Sequence, residues 1–419
     1  MPTVQSGLVA KGVTFTNGFV VNPLCCPSRA SILTGKYSHG TDVYSNIPPH
    51  GGFRTFKDIS TIATWLHAAG YATGFVGKYL NGYTPLRSAY VPPGWDSWDA
   101  LTFAGGANVT PPYYNYDMSI DGTQVHYGST DADYTTDVFD GYAMDFLNSV
   151  PIDQPLFLMF APNAPHPPAT PPARYASAFP DLEPLRPPNY NEADVSDKPS
   201  YIQATRLLSP NRRAKQDALR LHQFQALLAV DDAVNDILAV LRNTGRLSNT
   251  LIFFLPDNGL EIGEHRWVGK KVPYEESIRV PVIVRYDAMT NQIGATNGDF
   301  VLNIDVAPTL ADAAGVPAPG AEGTSLLPLL DGSATSWRSD FLIEHADSKT
   351  VTVPTYCAVR DQRYKYVKYQ TGEEELYDLQ ADPYELVNVA IDPGFADVKT
   401  SMHDRMVALC VPPPPGFTP

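Results

Sequence analysis

A short stretch near the start of the chain, from Leu24 to Lys36, reads LCCPSRASILTGK. Pro27 suits the first turn of a helix, because the N–H group that proline lacks would have no partner there. Gly35 can end this helix. Cys25 then lies at the helix N-terminus, where free N–H groups and the helix dipole favour negative charge, and Arg29 adds a cation. The stretch therefore predicts a nucleophile beside an anion-binding site.

Other chemically reactive or charged residues follow apolar runs that predict buried strands. These are Lys78 after Ala72–Val76, His166 after Leu156–Phe160, and Asp257 with Asn258 after Leu251–Leu255. Lys270 comes a short loop later. In open α/β sheets, ligands bind beyond the carboxyl ends of the strands. We therefore expect these residues to converge with Cys25 on one cleft.

The alternation of strand and helix patterns predicts an α/β fold with a mostly parallel central sheet flanked by helices, over residues 1–335. Further runs read as parallel strands, and three segments have helical spacing of apolar residues. The additional strands are Val13–Phe15 with Phe19–Val21 and Val280–Val284, and the helices are Thr61–Ala69, Asp137–Val150 and about Ala214–Asn243. The proline-rich Pro165–Tyr201 segment predicts a long surface excursion.

Residues 336–419 have a different pattern and predict a small C-terminal subdomain. Three short alternating runs predict an antiparallel sheet, and Val398–Cys410 predicts a final helix. The three runs are Tyr356–Arg360, Tyr364–Tyr369 and Glu375–Asp378. Four cysteines do not make a disulfide framework in a chain of 419 residues. Cys357 and Cys410 can pair, but the sequence does not decide it.

Charge and hydropathy exclude several classes of partner. The net charge of −15 argues against nucleic acid or any long polyanion bound over a broad surface, although a local basic cluster can hold a small anionic group. No apolar run reaches the roughly 18 residues of a transmembrane segment. The polar start, MPTVQSG, has no signal-peptide pattern.

The pattern Cys-x-Pro-Ser-Arg followed by Thr-Gly, which begins at Cys25, resembles the signature of the formylglycine-dependent (type I) sulfatases. Further segments resemble that family in the same order, and their variants are most like the N-acetylglucosamine-6-sulfatase branch. They are GKYLNGY, APNAPHPP, PDNG, GKKVPYEESIRVPVIVR, NIDVAPTLADAAG and ELYDLQADPYELVN. The resemblance implies an alkaline-phosphatase/sulfatase-like fold and the hydrolysis of sulfate esters, on a sugar or a glycosaminoglycan fragment.

The resemblance also implies a role for each residue of the predicted cleft. A formylglycine-generating enzyme would oxidise Cys25 to formylglycine, whose hydrate attacks sulfur with one hydroxyl and expels sulfate with the other. Arg29 would hold this group, Lys78 and Lys270 would contact the sulfate, and His166 would protonate the leaving oxygen.

A calcium ion would be bound by Asp257, Asn258 and the modified Cys25, since carboxylate and amide oxygens suit that ion. His39 and His265 are candidates for lining the pocket of a small sulfated substrate, with a structural role as the alternative for each.

Two features depart from the family pattern. Leu80 stands where many members have histidine, so the usual base for sulfate release is missing there; His39 or Asn81 are possible substitutes. The first strand of the family, which ends in Asp-Asp and completes the metal site, has no counterpart. Asp231-Asp232 lies in a helix, where neighbouring side chains diverge by about 100°, and is expected to be a solvated or locally paired helix face.

We expect Met1 to be an internal methionine of a longer protein, which the family resemblance would place outside the cell or in its envelope. The alternative is a short chain that lacks a middle strand, whose neighbours would then have exposed edges.

Two other functions stay open. One is phosphonate or phosphate ester hydrolysis at the same kind of site. The other is binding of sulfated sugar without catalysis, because the metal carboxylates are incomplete.

Overall fold

The computed structural model describes residues 1–84, 89–102, 110, 112–346 and 353–419. Its first sheet has four strands, in the order β11-β1-β10-β7. These strands are β1 (Val13–Phe19), β7 (Leu251–Phe254), β10 (Val282–Tyr286) and β11 (Ala295–Leu302). β1 is parallel to β11, but β10 is antiparallel to both β1 and β7. The prediction of a parallel strand at Val280–Val284 is therefore wrong in direction.

The second sheet has five strands, in the order β5-β4-β3-β2-β6. They are β2 (Ala72–Lys78), β3 (Ser97–Thr102), β4 (Tyr116–Ile120), β5 (Thr123–Tyr127) and β6 (Leu156–Ala161). The central β2 is parallel to β3 and β6, and the hairpin of β4 and β5 extends the sheet in the antiparallel sense. Each of the two sheets thus contains both parallel and antiparallel strand pairs, and together they form the predicted α/β architecture.

Helices flank both sheets. They are α1 (Cys25–Thr34), α2 (Ser38–Thr41), α3 (Ile62–Ala68), α4 (Thr135–Ser149), α5 (Ser200–Gln203), α6 (Pro210–Asn243), α7 (Glu275–Ile278), α8 (Val306–Ala313), α9 (Leu327–Asp331) and α10 (Ala396–Leu409). A π-helix, Val4–Val9, precedes β1. No helix in the described ranges is long and apolar enough to cross a membrane.

The Asp231-Asp232 pair of α6 is paired with distant segments rather than locally, and Asp231 is buried rather than solvated. Asp231 accepts hydrogen bonds from the backbone N–H groups of Thr3 and Val4, both at 2.9 Å. Asp232 lies 3.0 Å from Arg174. Each carboxylate therefore has a structural partner of its own.

Strands β6 and β7 are the outer strands of their sheets. Within the part of the chain that the structure describes, β6 pairs only with β2 and β7 only with β10. Most side chains in both strands are half-buried, whereas every residue of β2 is buried. Leu156 and Ile252 nevertheless pack against one apolar cluster, which includes Leu238 of α6.

The C-terminal sheet is antiparallel throughout, in the order β12-β13-β14-β15. Its strands are β12 (Asp340–His345), β13 (Tyr356–Asp361), β14 (Tyr364–Tyr369) and β15 (Glu374–Asp378). Phe341 and Tyr356 of this sheet share one buried cluster with Phe19 and Phe300 of the first sheet. The C-terminal sheet is therefore joined to the first sheet by a common core, and the boundary at 335/336 stays a prediction.

Cys357 of β13 and Cys410, directly after α10, form a disulfide that closes a sequence separation of 53 residues. We expect Cys357→Ser/Cys410→Ser to lower the free energy of unfolding by about 2–4 kcal/mol, because the cross-link restricts the unfolded chain. Urea unfolding without reductant measures this. Equal midpoints with and without the disulfide would contradict the expectation.

Candidate active site

Helix α1 places Cys25 and Arg29 one turn apart at its buried start. The helix begins at Cys25, with Pro27 in its first turn, and Gly35 ends it with a φ of 71°. Cys25 is 1% exposed and Arg29 is 9% exposed. Ser28 accepts a hydrogen bond from Asn303 at 2.8 Å, which fixes the helix against the 3-10 helix Asn303–Asp305 that follows β11. The N-terminal stretch thus folds as its sequence predicts.

Lys270 lies against Cys25, since its Nζ is 3.1 Å from Sγ and 3.3 Å from Asn258 Oδ1. Burial acts to raise the pKa of the Cys25 thiol, but Lys270, Lys78 and a hydrogen bond with His166 outweigh burial. The pKa of Cys25 therefore lies well below its ordinary value. This environment stabilises negative charge on the atom at position 25.

Asp257 links the cations of the site. Its Oδ2 accepts from Arg29 Nε at 2.8 Å and lies 3.8 Å from Lys78 Nζ. Burial acts to raise the pKa of this carboxyl, but Arg29, Lys78 and Lys270 hold it below its usual value. Burial lowers the pKa of Lys78, which is 2% exposed. One half-buried carboxylate thus orients cations that come from α1 and the end of β2.

His166 approaches Cys25 from the loop after β6. Its Nδ1 lies 2.7 Å from the carbonyl oxygen of Pro167. A carbonyl oxygen only accepts, so Nδ1 carries hydrogen and Nε2 is left for proton exchange. The Tyr113 hydroxyl donates to the His166 carbonyl at 2.8 Å. Tyr113 was not identified from the sequence as a partner of His166, because the Tyr113-Tyr114 pair matches no catalytic pattern.

The structure therefore brings together Cys25, Arg29, Lys78, His166, Asp257, Asn258 and Lys270. Arg29, Lys78 and Lys270 supply positive charge, and Asp257 supplies the opposing carboxylate. Such a site can bind a tetrahedral anion and stabilise charge that develops on its oxygens. His166 can exchange a proton with a leaving group on the same anion.

These residues alone do not form a calcium site. Calcium takes six to eight oxygen ligands, and the predicted set offers Asp257 and Asn258 together with an oxygen at position 25. Asp257 is already ion-paired with Arg29, and Asn258 accepts from Lys270. Among the described residues, no group of three or more His, Cys, Asp or Glu side chains has metal-binding geometry.

His39 lies between two carboxylates. Its Nε2 is 3.1 Å from Glu322 and its Nδ1 is 3.2 Å from Glu344. Burial acts to lower the pKa of His39, but the two glutamates raise it to about 10. Both ring nitrogens of His39 are thus held by carboxylates, which argues against His39 as a substitute for the base that is missing at Leu80.

His265 is fully buried, with Nδ1 2.7 Å from Glu192 and Nε2 3.3 Å from the Asn189 amide. Both ring nitrogens are thus held by protein groups. This arrangement favours the structural alternative for His265, as the glutamate pair does for His39. Sequence reasoning missed Glu192 and Glu344, because only the fold brings them to the histidines.

Glu261, in the short strand β8 (Glu261–Ile262) that pairs with β9 (Val268–Gly269), is a buried carboxyl close in sequence to Asp257 and Asn258. Burial raises its pKa well above 4.5, and Glu276 and Glu264 raise it further. Because the pKa of Glu261 is higher in the folded than in the unfolded chain, its contribution to stability is fully present below the ordinary pKa of 4.5. That contribution is lost as pH rises through the folded-state pKa. We expect Glu261→Gln to gain stability relative to the native chain as pH rises from 5 to 7.

Urea unfolding at both pH values measures this gain. The matched control is Glu183→Gln, at an exposed position. Its difference from the native chain in free energy of unfolding should be the same at pH 5 and at pH 7. A difference for Glu261→Gln that does not change with pH would contradict the account.

Comparisons with known proteins identify the family of this chain. The sulfatase family model matches residues 1–316, and the model for the C-terminal region of N-sulphoglucosamine sulphohydrolase matches residues 263–411. The N-acetylglucosamine-6-sulfatase of Homo sapiens is 34% identical over 95% of this chain and 78% of its own length.

Solved structures have the same fold. One, a complex with its substrate D-glucosamine-2-N,6-O-disulfate, has a TM-score of 0.84 and 25% identity, over 98% of this chain and 92% of its own. The phosphonate monoester hydrolase of Agrobacterium radiobacter has a TM-score of 0.76 and 22% identity, over 98% and 90% of the two chains, and shares the fold. The chain belongs to the sulfatase family, whose members are sulfuric ester hydrolases.

Proposed function

We propose that this chain hydrolyses a sulfate ester on a sugar through residue 25. The observation that carries the proposal is the position of Lys270, whose Nζ is 3.1 Å from the Cys25 side chain inside a cluster of cations. With a neutral aldehyde at position 25, the three positive charges of Arg29, Lys78 and Lys270 exceed the single negative charge of Asp257. The remaining positive charge suits one sulfate group.

Each residue has a separate task in this proposal. Lys78 and Lys270 bind sulfate oxygens and stabilise the charge that grows on them during attack. Asp257 holds Arg29 and Lys78 in place, and Arg29 orients the group at position 25. His166 gives a proton from Nε2 to the leaving sugar oxygen.

Cys25 is proposed as the precursor of formylglycine, made by a formylglycine-generating enzyme. As a hydrate, that group supplies two hydroxyls on one carbon, one for attack on sulfur and one for release of sulfate. Calcium is a further proposal, with Asp257, Asn258 and the modified Cys25 among its ligands. No step above depends on calcium, because the donor set described here is too small.

The proposed substrate is the sulfated end of a sugar chain or a small sulfated sugar. Relatives named N-acetylglucosamine-6-sulfatase and a neighbour solved with a disulfated glucosamine support a 6-O-sulfated glucosamine unit. The net charge of −15 disfavours a long polyanion across the surface, but permits one anionic end in the basic site.

Turnover of matched esters tests the proposal. The chain, produced with a formylglycine-generating enzyme, is given aryl sulfate, aryl phosphate, aryl phosphonate and N-acetylglucosamine 6-sulfate, with Lys270→Ala as the control. We expect both sulfate esters to be turned over faster than the phosphorus esters. Faster phosphorus turnover would support the phosphonate or phosphate hydrolase. Binding of the sulfated sugar without turnover would support the non-catalytic alternative.

A further inference from the structure

Lys271, the residue after Lys270, has a backbone conformation that its neighbours impose. Its φ is +81°, a left-handed value that is strained for a residue other than glycine. Its N–H donates to the Pro23 carbonyl at 3.1 Å, and its carbonyl accepts from the Tyr356 hydroxyl at 2.9 Å. These two bonds fix the peptide groups on both sides of Lys271.

Tyr356 is a rigid donor. It lies in β13, is fully buried, and its ring packs 5.6 Å from His345 and 5.6 Å from Tyr369, measured between ring centroids. His345 and Tyr369 are its cross-strand neighbours in β12 and β14. The hydroxyl therefore has a position set by the C-terminal sheet.

The same sheet holds the far end of this segment. The Tyr274 hydroxyl donates to Glu375 of β15 at 2.8 Å. Glu375 also accepts from Tyr369 and Tyr377, and all four side chains are buried. The residues from Lys270 to Tyr274 are thus held at two points by the C-terminal sheet, while Pro23 connects them to the residues before Cys25.

We propose that Tyr356 is a positioning residue for sulfate ester hydrolysis. Its hydroxyl keeps Lys271 in the left-handed conformation, and this directs the Lys270 side chain onto residue 25. The C-terminal sheet thereby takes part in assembling the active site, although Tyr356 does not touch the reacting atoms. The inference rests on the proposed function, because it acts through Lys270.

The test places Tyr356→Phe in the native chain and in a Lys270→Ala background. In the native chain we expect kcat/KM for an aryl sulfate to fall by about tenfold to a hundredfold, since small misplacements of a catalytic group have effects of that size. In the Lys270→Ala background we expect less than about a twofold further change, because the group that Tyr356 positions is gone.

The matched control is Tyr366→Phe, which removes the hydroxyl of another buried tyrosine, on β14, whose partner is Glu374. It should leave kcat/KM within about twofold. A rescue variant adds Lys271→Gly to Tyr356→Phe, since glycine adopts a positive φ without strain and should restore part of the lost kcat/KM. Melting temperatures verify that each variant is folded.

Three results would overturn the proposal. One is a fall in kcat/KM of the same size in both backgrounds, which is what a purely structural role predicts. Another is a Tyr356→Phe variant as active as the native chain. If Lys270→Ala itself leaves kcat/KM unchanged, both this proposal and the role of Lys270 in the proposed function fail. Either of the first two results overturns only the role of Tyr356, so the two failures can be told apart.

Discussion

Replacement of Cys25 by alanine is expected to lower kcat for an aryl sulfate by at least about 10⁴-fold, the scale of losing a nucleophile. The physical reason is that Lys78 and Lys270 can still bind the sulfate group, but no atom is left to attack sulfur. We expect KM to change much less than kcat, because the cations that bind the ester are unchanged. Initial rates over a range of substrate concentrations separate the two constants.

The adjacent Cys26→Ala is the matched control for this experiment. Cys26 is fully buried, and burial raises the pKa of its thiol to about 12, so it is neither nucleophilic nor charged at neutral pH. We expect its replacement to leave kcat within a few-fold and to lower the melting temperature slightly, because a small cavity forms. Equal losses for Cys25→Ala and Cys26→Ala would refute a special role of Cys25.

Replacement of His166 by alanine is expected to have an effect that depends on the leaving group. For N-acetylglucosamine 6-sulfate, whose alcohol leaves poorly without a proton, we expect kcat to fall by about 10²–10⁴-fold. For a nitrophenyl sulfate, whose phenolate leaves readily, we expect a loss of less than about tenfold. Measuring both substrates with the same enzyme preparation gives the comparison.

His126→Ala is a suitable control, because His126 has a side chain that is 61% exposed and pairs only with Asp117 among the ion pairs described. It should leave both substrates unaffected. If His166→Ala slows the two esters by the same factor, His166 is not the general acid, and a positioning role for its loop would explain the loss instead.

The fold could be predicted where apolar runs are long and uninterrupted. β2, β6 and β7 coincide with predicted strands, and α6 begins and ends close to the predicted bounds. The direction of β10 was wrong, because a buried run of apolar residues has the same pattern in a parallel strand and in a central antiparallel strand. β11 (ATNGDFVL) was missed, since its glycine and polar residues give no clear alternation.

The site could be predicted as a set of residues but not as a network. The position of each residue after a strand indicated a shared edge. The ion pair of Arg29 with Asp257 spans 228 residues of sequence, so only the fold reveals it. In the same way, Glu344 lies 305 residues from His39 and makes that histidine a poor base. The chemistry of one residue in the sequence does not show which distant side chain will lie next to it.

The half-buried strands β6 and β7 carry the loops of His166 and Asp257. Among the described residues, β6 pairs with β2 alone and β7 with β10 alone. The two loops are nevertheless held at the site by contacts of their own, from Tyr113 to His166 and from Arg29 to Asp257. The positions of these two loops therefore have supports other than the strand edges.

The central claim is that an oxidised side chain at position 25 carries out the reaction. Mass spectrometry of the peptide that contains Cys25 tests it most directly, using chain produced with a formylglycine-generating enzyme and assayed in parallel. We predict an aldehyde in place of the thiol, in a fraction that rises and falls with the specific activity of each preparation. Full sulfate ester turnover by chain that carries only the unmodified thiol would contradict the account.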